Sequence, residues 1–238
     1  MMRVMVFGFQ AGAFCLLMSV LFGFAGHLHP VFDSLSLLRL PLAAACLLVL
    51  VFPMGARIRF MLTAAVMLGA GTTVPMFFGA GSASDLRIYS KNMWFANKEL
   101  QALEQDIRSS GADVVALQEV SGANRALMAA LSDLYPHQHL CAFSGWNGIA
   151  VLSQEPLLQV RCSDRRALAA AQLDSEGGPV WVASEHLSWP FPYGNATSAR
   201  SAVDILNDLD GPVVMAGDFN IFPWARSVQG MQNAADLR

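Results

Sequence analysis

The chain has 238 residues, 54% of them hydrophobic and 14% charged, with a formal net charge of −3 and a mean hydropathy of +0.42. These values exclude an ordinary water-soluble domain of this length. The apolar excess lies before residue 82, and charge divides with it: residues 1–82 carry four arginines against one aspartate, a balance of +3, and residues 83–238 carry 11 Lys and Arg against 17 Asp and Glu, a balance of −6.

Three apolar runs open the chain, at about 4–25, 34–54 and 60–78. Each is close to the roughly 20 residues that a helix needs to cross a bilayer. Three in tandem, with almost no polar face, favour membrane spans over buried core helices. A cleaved signal peptide would account for the first run alone, and Phe24-Ala25-Gly26-His27 is a poor cleavage site. Arg39, near one end of the second run, is expected to snorkel to the interface. Gly8 and Gly12 form a weak helix-packing notch. Arg3, Arg57 and Arg59 flank the runs, while the first loop, 26–33, has no Lys or Arg. The positive-inside rule then puts the N-terminus in the cytoplasm and residues after about 82 outside it, periplasmic if the cell is a Gram-negative bacterium. Domain 1–82 is thus expected to be a three-helix membrane anchor in the bacterial inner (cell) membrane. Residues 79–84 read as a linker.

The second part, 83–238, has ordinary globular patterning. Strands are predicted at 85–90, 113–117, 139–143, 148–152, 157–162, 166–173, 180–184 and 212–216, and helices at 97–109, 124–134, 196–209 and 224–237. The order is βαβα, a β-rich middle, then αβ. That mixture of α/β units and antiparallel hairpins predicts a layered α/β sandwich rather than a simple doubly wound sheet. Cys141 and Cys162 are its only cysteines; they form a disulfide if this part is extracytoplasmic, or remain two buried thiols. Cys15 and Cys46 lie in the apolar runs.

Four polar clusters share one placement, at or just beyond the end of an apolar strand: Asn92, Gln118-Glu119, Glu185-His186, and Asp218 with Asn220. Strand ends let distant parts of a chain converge on one pocket. Carboxylates with amides suit a hard divalent cation such as Mg²⁺. A histidine beside them can protonate a leaving group or hold a phosphoryl oxygen. Together these are the parts for metal-assisted hydrolysis of a phosphate ester. Taken singly, each has a plainer reading: a turn cap for Asn92, a helix-entry residue for Glu119, a strand-end histidine for His186, and a simple turn for Gly217-Asp218-Phe219-Asn220. His27-x-His29 and His137-x-His139 lack cysteine or carboxylate neighbours at ligand spacing, and read as a solvated loop and a strand edge. Arg161, Arg165 and Arg166 read as a solvated basic turn.

In combination, Leu86 to Asn92, Ala112 to Val120 with its Gln-Glu pair, Gly148 to Ser153, Ser184-Glu185-His186-Leu187, and Gly217-Asp218-Phe219-Asn220 with Pro223-Trp224 resemble the endonuclease/exonuclease/phosphatase superfamily. The resemblance runs in order from about residue 85 to 238. It implies a four-layer α/β sandwich of the DNase I type, here preceded by three transmembrane helices. It further implies Glu119 as principal Mg²⁺ ligand with Asn92 beside it, Mn²⁺ being an alternative metal. Asp218 would orient or deprotonate the attacking water, Asn220 would hold the phosphate, and His186 would contact phosphate or act as an acid. The family's later Ser-Asp-His segment and upstream Asp have no counterpart after Asn220, so the sandwich is expected to be incomplete at its C-terminus.

The expected activity is that of a membrane-anchored, Mg²⁺-dependent phosphoesterase; the alternative is an inactive fragment serving as a membrane-tethered binding module. The expected partners are the lipid bilayer and a phosphate-ester substrate, whether nucleic acid, lipid head group or small phosphodiester. No protein partner is identifiable. The balance of −6 lacks the broad basic surface of a strong duplex binder.

Overall fold

The computed structural model describes residues 2–78, 86–175 and 177–235. The predicted linker, 79–84, lies outside these residues. By contact the chain forms two units: residues 1–81 with the short segments 190–193 and 221–229, and residues 82–189, 194–220 and 230–238.

In the first unit, α1 (Met2–Phe22) is followed by α2 (Pro30–Leu35), a 3-10 turn (Ser36–Leu38), α3 (Arg39–Val49), α4 (Ala56–Gly71) and a second 3-10 turn (Val74–Phe78). The predicted second run is therefore shifted and interrupted. It starts at Pro30, whose missing N–H suits the first helical turn, and His29 Nδ1 caps it by accepting from Val31 N–H. Pro30–Val49 (20 residues) and Ala56–Phe78 (23 residues) are long and apolar enough to cross a membrane by length and composition, and Phe7–Phe22 is a shorter apolar helix.

α1, α3 and α4 pack around Ala13, Val20, Cys46, Ile58, Leu62 and Ala65. At Gly69 a Cβ would stand 2.9 Å from the Arg39 carbonyl oxygen and 3.0 Å from Ala43 Cβ, so α3 and α4 approach this closely only because the residue is glycine. The Gly8/Gly12 notch meets no neighbour: a Cβ at either would find nothing within 4 Å.

Arg39 does not snorkel. It is buried, donates from Nη2 to Gly23 O at 2.5 Å, and lies 3.8 Å from the centroid of the Phe24 ring. A carbonyl and an aromatic face within reach replace the water that a snorkelling side chain would seek. Asp33 is likewise buried, and its carboxylate accepts from Arg226 N–H (2.6 Å) and Ser227 N–H (3.1 Å), which open α8 (Arg226–Ala234). An acidic group at a helix N-terminus satisfies two otherwise unpaired donors and opposes the positive end of the helix dipole.

The second unit is a pair of four-stranded sheets. Sheet A has the order β1 (Ile88–Asn92), β2 (Val114–Val120), β4 (Gly148–Ser153), β3 (His137–Ala142). Sheet B has the order β5 (Leu157–Cys162), β6 (Leu168–Leu173), β7 (Val180–His186), β8 (Val213–Asp218). β1 with β2 and β7 with β8 are parallel; the other pairs are antiparallel. Two buried clusters, Val114, Val151, Ala171, Leu173 and Val182, then Cys141, Ile149 and Ala169, fill the space between the sheets.

The outer face of sheet A packs residues such as Val115, Leu117 and Leu152 against Ile107 of α5 (Gln101–Ser110) and Leu127 of α6 (Ala126–Ala130). The outer face of sheet B packs Trp181, Ala183 and Val213 against Ala199, Ala202 and Leu206 of α7 (Asn195–Leu206), with Met231. The layers run helix, sheet, sheet, helix. Strands buried on both faces explain the near-continuous apolar runs in β2, β4, β6 and β7. α6 spans five residues, shorter than the predicted 124–134. Several strands extend past their predicted ends, so Asn92, Glu119, His186 and Asp218 are themselves strand residues.

Candidate active site

The mixed topology brings four C-terminal strand ends together. β1 and β2 are parallel in sheet A, and β7 and β8 are parallel in sheet B, with His186 opposite Asp218 in register. Asn92 Nδ2 donates to Glu119 Oε1 at 3.0 Å and to Asp218 Oδ2 at 2.9 Å, so one amide bridges two carboxylates from different sheets. Asn92 Oδ1 accepts from Trp94 N–H at 2.9 Å. Glu119 Oε2 accepts from Phe95 N–H at 2.8 Å, and Asp218 Oδ1 from Asn220 N–H at 3.0 Å. His186 Nε2 lies 3.6 Å from Glu119 Oε1.

The backbone is bent to aim these groups. Glu119 sits where the β2–β4 register shifts between Gln118 and Val120, with φ +57°. Trp94 (φ +59°) and Asn220 (φ +52°) share this left-handed conformation, which is uncommon for side-chain-bearing residues and concentrates at functional sites. A bulge re-aims one side chain without disturbing the rest of the strand. Gly217 is required by contact: a Cβ there would lie 2.1 Å from Glu185 O on β7.

Gln118, adjacent to Glu119 in the motif, serves the fold instead. Its buried Nε2 donates to Ser184 Oγ (3.0 Å) and Ala116 O (3.2 Å), and Ser184 Oγ donates to Leu117 O (3.3 Å). That set of bonds joins the two sheets directly below the carboxylates. Asn220 Nδ2 donates to Leu187 O at 2.9 Å, which fixes the loop after β8.

Two residues outside the four predicted clusters complete the site. Arg166 Nε, at 3.1 Å, and Nη1 are donors and require the oxygen of the Asn147 amide on their side, so its nitrogen faces the ring and donates to His186 Nδ1 at 3.1 Å. Arg166 Nη2 also donates to Ser188 Oγ at 2.8 Å. Arg166 is therefore no solvated turn residue. Glu119 and Asp218 act on its charge, and its guanidinium lies 5.9 Å from the Trp146 ring centroid.

This chain of bonds sets the histidine's tautomer. Nδ1 accepts, so the proton of the neutral ring is on Nε2, toward Glu119. Burial, with the Arg166 charge adding to it, lowers the His186 pKa, against the opposing pull of Asp218 and Glu119. The ring is neutral at pH 7 and presents an N–H donor.

Glu185 follows His186 in sequence but not in place. It is fully buried, neither carboxyl oxygen has a hydrogen-bond partner among the described residues, and burial raises its pKa well above the ordinary carboxylate value. Strand alternation explains this. Ser184 and His186 face the inter-sheet side, and Glu185 shares parity with Trp181, Ala183 and Leu187, which pack in the apolar layer beside α7.

The donor set suits a hard cation: two carboxylates and an amide converge from three strands, held by backbone N–H groups. Glu119 would supply an oxygen, with Asp218 close enough to act on a water beside the cation. Asn92 would become a ligand by turning Oδ1 inward, since Nδ2 now faces the carboxylates.

Cys141 and Cys162 form a disulfide in the structure, with Cα atoms 5.7 Å apart, joining β3 of sheet A to β5 of sheet B. His139 lies beside it, with Nε2 at 3.2 Å from Cys141 Sγ and 3.4 Å from Cys162 Sγ. The lack of cysteine neighbours inferred from sequence spacing does not survive folding, because one partner comes from 23 residues away on another strand.

A layered sandwich with paired carboxylates, amides, a histidine and an arginine at its strand ends defines a class of phosphoesterase- and nuclease-type hydrolases. The model of the Endonuclease/Exonuclease/phosphatase family matches residues 89–238, and the chain belongs to that family. Among solved structures, the catalytic domain of human Nocturnin with a bound sulfate anion is similar at 17% identity and a TM-score of 0.51, over 63% of this chain and 70% of that one. The 3'-5' exonuclease (NExo) of Neisseria meningitidis matches at 18% identity and a TM-score of 0.49, over 64% and 71%. Beta toxin from Staphylococcus aureus, in a structure with bound magnesium ions, matches at 16% identity and a TM-score of 0.48, over 65% and 71%. The chain spans 54% of an endonuclease/exonuclease/phosphatase from Beutenbergia cavernae, at 24% identity and a TM-score of 0.48. No curated protein matches the chain.

Proposed function

We propose that this protein is a membrane-tethered, Mg²⁺-dependent phosphoesterase. The observation that carries the reading is the convergence of Glu119, Asp218 and Asn92 beside a neutral His186 and the Arg166 guanidinium. A divalent cation held by Glu119 and Asn92 would polarise a phosphoryl oxygen. Asp218 orients the attacking water and accepts its proton at a carboxylate oxygen. His186 Nε2–H donates a hydrogen bond to a phosphoryl oxygen, and Arg166 offsets the charge that builds on it. This favours the phosphate-contact role for His186 over the acid role. Asn147 is a positioning residue that fixes the tautomer.

The aromatic rings of Trp94, Phe95 and Trp146, 61%, 41% and 52% exposed, pack edge to face beside the site. With the balance of −6 on this part of the chain, they support a small or lipid-linked phosphodiester with an apolar or aromatic portion. In the first unit, Phe7, Phe60 and Leu48 are 73%, 75% and 69% exposed. Such exposure suits lipid rather than water. With Arg3, Arg57 and Arg59 taken as cytoplasmic by the positive-inside rule, the reading puts the N-terminus in the cytoplasm and the hydrolase part outside it, and the disulfide fits an oxidising compartment.

The purified full chain should hydrolyse bis(p-nitrophenyl) phosphate only with Mg²⁺ or Mn²⁺. No metal-dependent turnover, or turnover unchanged in Glu119→Gln, would sink the enzyme reading and leave a tethered binding module. A secreted-type phosphatase reporter fused after Ser84 should be active; activity of a cytoplasm-only reporter at that point would refute the topology.

A further inference from the structure

We propose that His139, Cys141 and Cys162 form a second, thiol-gated metal site, closed as a disulfide when oxidised and open to a thiophilic cation such as Zn²⁺ when reduced. The two cysteines and the histidine come from two strands in different sheets. His139 and Cys141 lie on one face of β3, two residues apart, and Cys162 ends β5 opposite them. His139 Nε2 stands 3.2 Å from one sulfur and 3.4 Å from the other. In a tetrahedral zinc site, with its usual Zn–N and Zn–S bonds, nitrogen and sulfur ligands are about 3.5 Å apart. The nitrogen-to-sulfur spacing is therefore already that of a ligand set. What is needed is separation of the two sulfurs to about 3.8 Å, and Cα atoms 5.7 Å apart permit this by side-chain rotation. The Arg161 carbonyl, 3.3 Å from Nε2 and 3.6 Å from Cys141 Sγ, or a water, supplies the fourth position.

Cys162 is exposed and Cys141 buried, so a dithiol reductant meets the Cys162 sulfur first. Its thiolate bonds to Cys162 Sγ, the cysteine–cysteine bond breaks, and the electron pair leaves on Cys141 Sγ, which takes a proton from solvent. The reductant's second thiol then closes its own disulfide and releases Cys162. Two electrons pass to the protein, and the reductant is oxidised by two. Binding Zn²⁺ displaces two protons from the thiols and requires the imidazole proton on Nδ1, leaving the Nε2 lone pair for the metal. In either state β3 and β5 stay cross-linked, first by sulfur and then by metal.

The test is a Zn²⁺ titration of the purified full chain, oxidised and reduced, against a competing chromophoric chelator. The reduced chain should take up one more equivalent of Zn²⁺ than the oxidised chain. That extra equivalent should weaken at least tenfold in His139→Ala and vanish in the Cys141→Ser, Cys162→Ser double variant. Bound Zn²⁺ should also protect both thiols from alkylation and recover the thermal stability lost on reduction. Equal uptake by oxidised and reduced chains, full-strength uptake by His139→Ala, or a reduced chain that unfolds and is not restored by Zn²⁺ would each overturn the proposal.

Discussion

At the strand ends of the sandwich, polar groups hold one another: Asn92 bridges Glu119 and Asp218, backbone N–H groups complete both carboxylates, and Asn147 links His186 to Arg166. In the layer beside α7, one residue from His186, Glu185 is fully buried with no partner for either oxygen among the described residues. The two regions share a strand and differ in the direction a side chain points. The contrast teaches what full burial without a partner does to an acid: it raises the Glu185 pKa well above the ordinary carboxylate value. His186 is also buried, but a hydrogen-bonded neutral ring is inexpensive to bury, whereas an unpaired carboxylate is not and takes up a proton instead.

The largest test of this contrast removes charge where it is held. Glu119→Gln or Asp218→Asn should cut phosphodiester turnover by about 10³-fold, in line with loss of an electrostatic catalytic group, and leave the melting temperature unchanged or slightly raised. A large stability loss instead would mean that the carboxylates serve the fold. Arg166→Lys should cost about 10- to 100-fold in kcat, because a lysine cannot bond Asn147 and Ser188 through one planar fork. Asn147→Ala should cost about tenfold by releasing the His186 tautomer, with KM for the phosphodiester little moved.

The smallest and opposite effect is expected at Glu185. Glu185→Leu should raise stability at pH 7 by about 1–3 kcal/mol, the range for an unsatisfied buried polar group, with activity retained. The sign follows from linkage. The folded-state pKa of Glu185 is raised, so its contribution is fully present below the unfolded value of about 4.3 and is lost as pH rises toward the folded value. The gap between the thermal melts of the two proteins should be smallest near pH 4 and widen as pH increases. A gap that stays constant with pH would show that Glu185 is not protonated in the folded chain.

Much of the sandwich could be read from sequence, because strands buried on both faces leave unmistakable apolar runs, as in Val114 to Leu117 and Val180 to Ser184. Asn92, Glu119, His186, Asp218 and Asn220 were legible as strand-end residues, and the structure brings them to one place. Asn147 and Arg166 were not, for a topological reason. Looking past C-terminal strand ends finds residues on parallel strands. β4 and β6 run antiparallel to β2 and β7, so at the site it is the residues before them that arrive, Asn147 ahead of Gly148 and Arg166 ahead of Leu168. Glu185 was grouped with His186 by adjacency, although alternation along a strand separates neighbours onto opposite faces. The interruption of the second apolar run at Ser36–Leu38 and the inward turn of Arg39 depend on the Gly23 carbonyl and the Phe24 ring, contacts that hydropathy alone does not encode.

The most direct test of the central claim is Mn²⁺ binding followed by electron paramagnetic resonance on the purified full chain in its oxidised form, with phosphodiester turnover measured in the same samples. One bound Mn²⁺ should appear in step with activity, and both should be lost in Glu119→Gln while Glu185→Leu keeps both. Undiminished Mn²⁺ binding in Glu119→Gln, or turnover that does not follow metal occupancy, would contradict the account.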